Sequence, residues 1–172
     1  LKKLPYLVEK RVEAANYLTE RLSKFPGITT PAVLSGCTNV YYVYAMKCDE
    51  SRLGLPRDLL VDALAAEGVP ITKGYLRPIY LEPLYQQRIV FGSEGCPFTC
   101  SHYKGSVDYS KGICPVTERM YEREVMLTTA CHAQTTRSDI DDVVHAFEKV
   151  LENLEELQPL AQARVASTEN AR

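Results

Sequence analysis

Apolar residues recur every three or four positions in three segments of the chain, the spacing of one face of an α-helix. The first segment starts at Leu4 and stops before Pro26-Gly27, where proline cannot continue the helical hydrogen bonds. The second covers residues 57–67. The third begins with Ser138-Asp139-Ile140-Asp141, a variant of the capping box, and continues to about Leu157. The pattern predicts three amphipathic helices.

Three shorter segments are rich in aromatic and β-branched residues, which favour strands. They cover residues 39–47, 69–75 and 125–129, and a short helix opened by Pro115 is expected just before the last of them. Because the helices and strands follow one another without hairpin connections, the order predicts an α+β fold. We expect a small mixed, mainly antiparallel sheet of about three strands, covered on one face by helices.

Two segments lack a regular pattern. Residues 76–114 contain many prolines and glycines, and an irregular stretch of this length in a compact domain is usually functional or an interaction surface. Beyond Gln158-Pro159 the residues become small and polar. We therefore expect one domain over residues 1–157 and a flexible tail over residues 158–172.

Composition narrows the class of protein. The net charge is −2 and no long run of one sign occurs, which argues against a nucleic-acid-binding protein. No apolar stretch approaches the ~20 residues that span a bilayer, and the first residues do not resemble a signal peptide. We therefore expect a cytoplasmic protein whose six cysteines are reduced.

The irregular segment contains one candidate metal site. Cys96, Cys100, His102 and Cys114 are residue types that bind Zn²⁺ in tetrahedral sites. Their spacing lacks the paired CxxC motifs of typical zinc domains, so clustered loop cysteines are the simpler interpretation, and a Cys96–Cys100 disulfide is a further alternative. A zinc-stabilised interaction module stays open as an alternative function.

The end of the second predicted strand carries a second group of polar side chains. Tyr75, Arg77 and Tyr80 lie within six positions, between stretches stiffened by proline. A guanidinium presents a planar set of donors suited to phosphate or carboxylate, and a tyrosine combines an apolar ring with a polar tip. These residues suit a binding surface, although an amphipathic loop packed on a helix would have a similar pattern.

Four parts of the chain, in this order, resemble the DegT-type sugar-nucleotide aminotransferases. They are residues 10–31 (KRVEAANYLTERLSKFPGITTP), 41–44 (YYVY), 59–85 (LLVDALAAEGVPITKGYLRPIYLEPLY) and 114–147 (CPVTERMYEREVMLTTACHAQTTRSDIDDVVHAF). The resemblance is to the C-terminal small domain of these enzymes, which have the type I fold of pyridoxal phosphate (PLP) enzymes. It covers nearly the whole chain.

The resemblance implies that PLP is the cofactor of the parent protein and moves an amino group from glutamate to a keto sugar carried on a nucleotide. It implies that Tyr75, Arg77 and Tyr80 contact that substrate. Lys73 does not lie in the family's lysine motif, so we expect the Schiff-base lysine, within an N-terminal PLP-binding domain, to precede residue 1. We assign no catalytic or cofactor-binding residue to this chain, expect the isolated chain to be inactive, and expect a homodimeric parent. A stand-alone ligand-binding or regulatory domain is the remaining alternative.

Overall fold

A computed structural model gives the fold of residues 1–92 and 94–169, with side chains described through residue 163. The helices are α1 (Leu4–Leu22), α2 (Glu50–Leu53), α3 (Arg57–Ala66), α4 (Pro83–Gln86), α5 (Pro115–Arg119), α6 (Arg137–Glu152) and α7 (Leu154–Glu169). The strands are β1 (Ile28–Thr29), β2 (Tyr44–Cys48), β3 (Ile71–Lys73) and β4 (Val125–Thr128). A 3₁₀ turn covers Ile79–Leu81, and a π-helical turn, Met120–Glu124, joins α5 to β4.

The strands form one sheet in the order β1-β2-β4-β3, and each of these pairings is antiparallel. Thr128 of β4 lies opposite Tyr44 on one side and Ile71 on the other, so β4 is an inner strand. The predicted small, mainly antiparallel sheet is confirmed. Strand β1, with only two residues, adds a fourth strand that is too short for its hydrophobic pattern to predict.

The first predicted strand is shorter than expected. Residues 39–47 were expected to be extended, but regular pairing starts only at Tyr44. The cause is Tyr41, whose φ of 48° places it in the left-handed region and interrupts the extended backbone. Tyr41 is nevertheless buried and its ring stacks on that of Tyr44, with centroids 5.9 Å apart. Tyr42, in contrast, is 75% exposed, so residues 39–43 form neither a regular strand nor a fully buried aromatic cluster.

One face of the sheet packs against helices, as predicted. Along β2 the buried residues Tyr44 and Met46 alternate with the exposed Ala45 and Lys47. Helices α1, α3 and α6 supply the largest fully buried aliphatic and aromatic side chains that face this layer, including Leu18, Leu60 and Phe147. Among the described residues, no helix is both long enough and apolar enough to cross a membrane.

Arg57, the first residue of α3, is a buried charged residue with only 4% of its surface exposed. Its guanidinium donates hydrogen bonds to the main-chain oxygens of Val125 (2.5 Å), Glu122 (2.7 Å) and Tyr121 (3.1 Å), and its Nε donates to Asp58 (2.6 Å). These carbonyl groups belong to the π-helical turn and the start of β4. A single side chain thereby joins α3 to the segment that leads into the central strand.

The start of the last predicted helix differs from expectation. Its cap is Thr136 rather than Ser138: the Thr136 side chain accepts a hydrogen bond from the amide of Asp139, and the Asp139 carboxylate accepts one from the amide of Thr136. This is the reciprocal arrangement of a capping box, two residues earlier than expected. Ser138 lies inside the first turn and is exposed.

The C-terminal segment is also more regular than expected. Helix α6 ends at Glu152 and α7 follows from Leu154 to Glu169, so the predicted helix end near Leu157 is wrong. Pro159 lies within α7. The residues after it are small and polar, which suggested a flexible tail, but they are rich in alanine, whose high helix propensity favours a helix. The predicted flexibility of the tail stays a prediction, and residues 170–172 lie outside the described part of the chain.

Candidate functional site

The chain leaves the sheet at Gly74, directly after β3. Gly74 has a φ of 59°, its amide donates to the Val125 carbonyl (2.8 Å), and a Cβ at this position would lie 3.0 Å from the Tyr121 oxygen. Both the left-handed backbone and the close approach favour glycine here. The turn sends the next residues away from the sheet, and Tyr75 and Arg77 are exposed, with Tyr75 59% accessible. Two of the three predicted site residues, Tyr75 and Arg77, therefore lie on one short segment with their side chains exposed to solvent.

Tyr80 has a different environment from Tyr75 and Arg77. It lies in the 3₁₀ turn, only 8% of its surface is exposed, and its hydroxyl donates a hydrogen bond to the carboxylate of Glu118 on α5. Burial and this hydrogen bond raise the pKa of Tyr80 to about 12. Its hydroxyl is thus a neutral donor engaged inside the protein. The expectation that Tyr80 contacts the substrate stays a prediction.

Glu118 was not among the residues singled out as a site. Glu118 is a buried residue, 8% exposed, and its carboxylate also accepts hydrogen bonds from the main-chain amides of Gly112 (2.7 Å) and Cys114 (3.4 Å). The hydrogen bond from Tyr80, followed by the one from Gly112, lowers the pKa of the Glu118 carboxyl. Glu118 lies within residues 114–147, one of the four stretches that resemble the family, but nothing in the sequence pattern marked it as a site residue. Glu118 joins the 3₁₀ turn to the end of the irregular segment.

A second set of contacts fixes the irregular segment beside the 3₁₀ turn. The side-chain amide of Gln86 donates to the main-chain oxygens of Tyr80 (2.7 Å) and Tyr109 (2.6 Å). The rings of Tyr85, Phe98 and Tyr109 form a cluster with centroids 5.3 to 6.1 Å apart. We call residues 94–112 the cysteine loop, and these contacts hold it against α4, which Gln86 also joins to the 3₁₀ turn.

The zinc alternative is not supported by the geometry. Cys96 Sγ and Cys100 Sγ lie 3.3 Å apart, and His102 is exposed. No group of three or more His, Cys, Asp or Glu side chains that could hold a metal ion occurs in the part of the chain that the structure describes. Cys96, Cys100, His102 and Cys114, the residues of the zinc alternative, form no such group.

A cleft of about 330 Å³ beside β1 and the start of α2 includes Lys47, Arg119 and Arg123 in its lining. Glu124 lies in the same cleft, 3.8 Å from the Lys47 ammonium and 2.5 Å from Nε of Arg119. One carboxylate is thus shared by two of the three cationic groups, and Asp49 and Glu50 also line the cleft, so its three cationic side chains face three acidic ones. The cleft therefore offers a weaker anion-binding surface than its basic residues alone suggest.

The chain resembles known proteins over most of its length. Residues 1–107 match the model of the DegT/DnrJ/EryC1/StrS aminotransferase family. The L-glutamine:scyllo-inosose aminotransferase of Streptomyces griseus is 32% identical over 151 residues, which are 86% of this chain and 34% of that protein. The chain spans about a third of the length of the curated relatives it matches.

Solved structures show the same fold. DesI, crystallised in the presence of its TDP-sugar product, matches 94% of this chain and 36% of its own with a TM-score of 0.66 and 22% identity. The PLP form of the putative sugar aminotransferase Spr1654 from Streptococcus pneumoniae matches 90% of this chain and 33% of its own, with a TM-score of 0.61 and 18% identity. At these identities the likeness shows the fold alone.

Proposed function

Because the chain belongs to the DegT/DnrJ/EryC1/StrS aminotransferase family, we propose that it forms one wall of the active site of a PLP-dependent aminotransferase. The proposed substrate is a keto sugar carried on a nucleotide, and the proposed site lies along the segment after β3. The observation that carries the proposal is the Gly74 turn, which leaves Tyr75 and Arg77 exposed directly after β3. Strand β3 is itself held in the sheet by its pairing with β4.

Arg77 is the residue in this segment suited to a nucleotide phosphate. A guanidinium donates two parallel hydrogen bonds to a phosphate and keeps its charge at any physiological pH. Tyr75 lies two positions before Arg77, and its ring is largely exposed. It can cover the sugar or base with its apolar face. The two side chains would orient the substrate, and the Tyr80–Glu118 hydrogen bond would hold the backbone that carries them.

The residues described here do not fit the pyridoxal group itself. An amine that forms a Schiff base needs a lowered pKa, which burial or a neighbouring cation supplies. The lysines of the described residues are exposed or half-buried, and Lys73, the one next to the site, forms an ion pair with Asp62 at 2.7 Å. We assign no chemical step to this chain. The proposed roles of its residues are binding and orientation.

The proposal also includes a second domain, an oligomeric state and a cellular setting. Residues 1–157 would act as a C-terminal small domain beside a PLP-binding domain, within a homodimeric parent in the cytoplasm. Family membership and the one-third coverage of the relatives support this arrangement. The exposed apolar side chains on the segment that carries Arg77, such as Leu76 (73%) and Ile79 (68%), also suit a surface that other residues cover.

The experiment measures transamination by the protein that carries this chain, with a nucleotide-linked keto sugar and glutamate. Arg77→Ala should raise KM roughly 5- to 150-fold, the equivalent of losing one charge-assisted hydrogen-bonded contact worth about 1 to 3 kcal/mol. Arg77→Lys should restore only part of the loss, because an ammonium lacks the planar pair of donors. Arg52→Ala, on exposed α2, is the matched control and should leave KM unchanged.

Two outcomes would contradict the proposal. An unchanged KM in Arg77→Ala would reject Arg77 as a substrate contact. Absence of any amino transfer to a keto sugar, in a folded protein loaded with PLP, would reject the activity itself.

A further inference from the structure

Cys96 and Cys100 are the two half-buried thiols of the cysteine loop, and their Sγ atoms lie 3.3 Å apart. Successive main-chain hydrogen bonds shape the loop around them. The amide of Phe91 donates to the Cys96 carbonyl (3.2 Å), and the amides of Phe98 and Thr99 both donate to Gly95 (2.8 and 3.0 Å). The backbone therefore curls between the two cysteines and places both side chains on the same side.

Neither thiol has an assigned role in the proposed substrate wall, and no metal-ligand group includes them within the described residues. We infer that Cys96 and Cys100 form a reversible thiol–disulfide exchange site that reacts with small-molecule disulfides. Bridging requires the two sulfur atoms, already in contact, to approach by about 1.3 Å, to a bond length near 2.0 Å, and to adopt the torsion angle of about 90° of a disulfide. Cys37, Cys48, Cys114 and Cys131 form no thiol–thiol contact among the described residues.

The two thiols differ in a way that gives each a role. The hydrogen bond from Cys96 and then the main-chain amide of His102 lower the pKa of Cys100, whereas the same thiol–thiol contact raises the pKa of Cys96. A thiolate is the nucleophile in exchange, so Cys100 is the attacking group and Cys96 the resolving one. Their partial exposure gives a small oxidant access.

The exchange proceeds in two steps. The Cys100 thiolate attacks one sulfur of the oxidant's disulfide, that S–S bond breaks, and the leaving thiolate takes up the proton that Cys100 lost. Cys96 then loses its proton and attacks Sγ of Cys100, which releases the second small thiolate to take up that proton. In total, two cysteine thiols are oxidised to one disulfide and one small-molecule disulfide is reduced to two thiols.

Oxidation would act on the loop through Phe98, which lies between the two cysteines. Its ring contacts Tyr85 and Tyr109, with centroids 6.1 and 5.8 Å away. A bridge across residues 96–100 restricts the open conformations of this turn and so favours the conformation in which Phe98 stays in the cluster. The redox state is thereby coupled to the order of the loop that Gln86 fastens to Tyr80.

Thiol trapping tests the inference directly. The protein is equilibrated in buffers of increasing oxidised-to-reduced glutathione ratio, alkylated, digested with trypsin and weighed by mass spectrometry. Cleavage after Arg88 and Lys104 gives one peptide, residues 89–104, that contains Cys96 and Cys100 and no other cysteine. It should carry two alkyl groups under reducing conditions and none, with the loss of two hydrogens, under oxidising ones. The peptide with Cys114 (residues 112–119) should keep its alkyl group throughout.

Variants and unfolding show whether the folded structure promotes the Cys96–Cys100 disulfide or whether the two thiols react as any exposed thiols would. Cys96→Ser should leave a stable mixed disulfide with glutathione on Cys100, whereas Cys37→Ser should not change the oxidation of the 89–104 peptide. The same titration in concentrated urea should require a more oxidising ratio, because unfolding separates the sulfurs. Two retained alkyl groups at the most oxidising ratio would overturn the inference, as would an identical titration in urea.

Discussion

The hydroxyl of Tyr80 donates a hydrogen bond to the carboxylate of Glu118, a residue 38 positions later in the chain. The same carboxylate accepts hydrogen bonds from the amides of Gly112 and Cys114. The buried carboxylate of Glu118 thus links α5, on which it lies, to the cysteine loop and to the 3₁₀ turn that follows the proposed substrate segment. A buried anion satisfied by several donors holds its neighbours in one arrangement, because each donor would otherwise lose its partner.

The Glu118 contacts predict a pH dependence of stability. The pKa of Glu118 is lowered in the folded chain, so its stabilising effect is present above the carboxyl's ordinary pKa of 4.5 and is lost as the pH falls through the lower folded value. We expect Glu118→Gln to be less stable than the wild type at neutral pH, and the difference to shrink as the pH falls below 4.5. Urea unfolding at several pH values measures it.

The matched control is Glu20→Gln, an exposed position on α1, which should show little difference at any pH. A Glu118→Gln difference that stays constant down to strongly acidic pH would contradict the assigned role of the carboxylate. Tyr80→Phe provides a second check. It should reduce the pH dependence, since it removes the largest cause of the lowered pKa.

The buried Arg57 predicts a large loss of stability on substitution. Arg57→Met keeps most of the volume but removes one donor from each of the carbonyls of Val125, Glu122 and Tyr121, of which Val125 keeps its hydrogen bond from the Gly74 amide. We expect the free energy of unfolding to fall by about 1 to 3 kcal/mol, the cost of leaving a buried hydrogen-bond acceptor without its donor. Chemical denaturation measures this loss, and Arg52→Met on exposed α2 should stay within about 0.5 kcal/mol of the wild type. Equal stability of the two variants would contradict the role of Arg57.

The position of the capping box predicts opposite behaviour at two neighbouring hydroxyl residues. Thr136→Ala removes the acceptor for the Asp139 amide at the start of α6 and should lower stability by about 1 kcal/mol. Ser138→Ala lies inside the first turn, where alanine has the higher helix propensity, and should be neutral or slightly stabilising. Thermal unfolding of both variants distinguishes them. A larger loss of stability in Ser138→Ala than in Thr136→Ala would contradict Thr136 as the helix cap and favour Ser138, the cap that the sequence predicted.

The pattern of hydrophobic residues determined the elements that carry the core. Helices α1 and α3 and strands β3 and β4 lie within a few residues of their predicted positions, because repeated burial on one face leaves a period in the sequence itself. The order of those elements also determined the small antiparallel sheet and its helical cover. Short motifs along the chain were enough to indicate the family, as residues 1–107 confirm.

Tertiary structure decided which polar side chains face outward and which face one another. Tyr75 and Tyr80 look alike in sequence, yet one is exposed and the other is bonded to Glu118, and the difference comes from the Gly74 turn and the distant α5. Packing likewise brought the 3₁₀ turn, the cysteine loop and α5 together around Glu118. Such contacts join positions with no shared period, so they depend on how elements pack in three dimensions, which the one-dimensional pattern does not record.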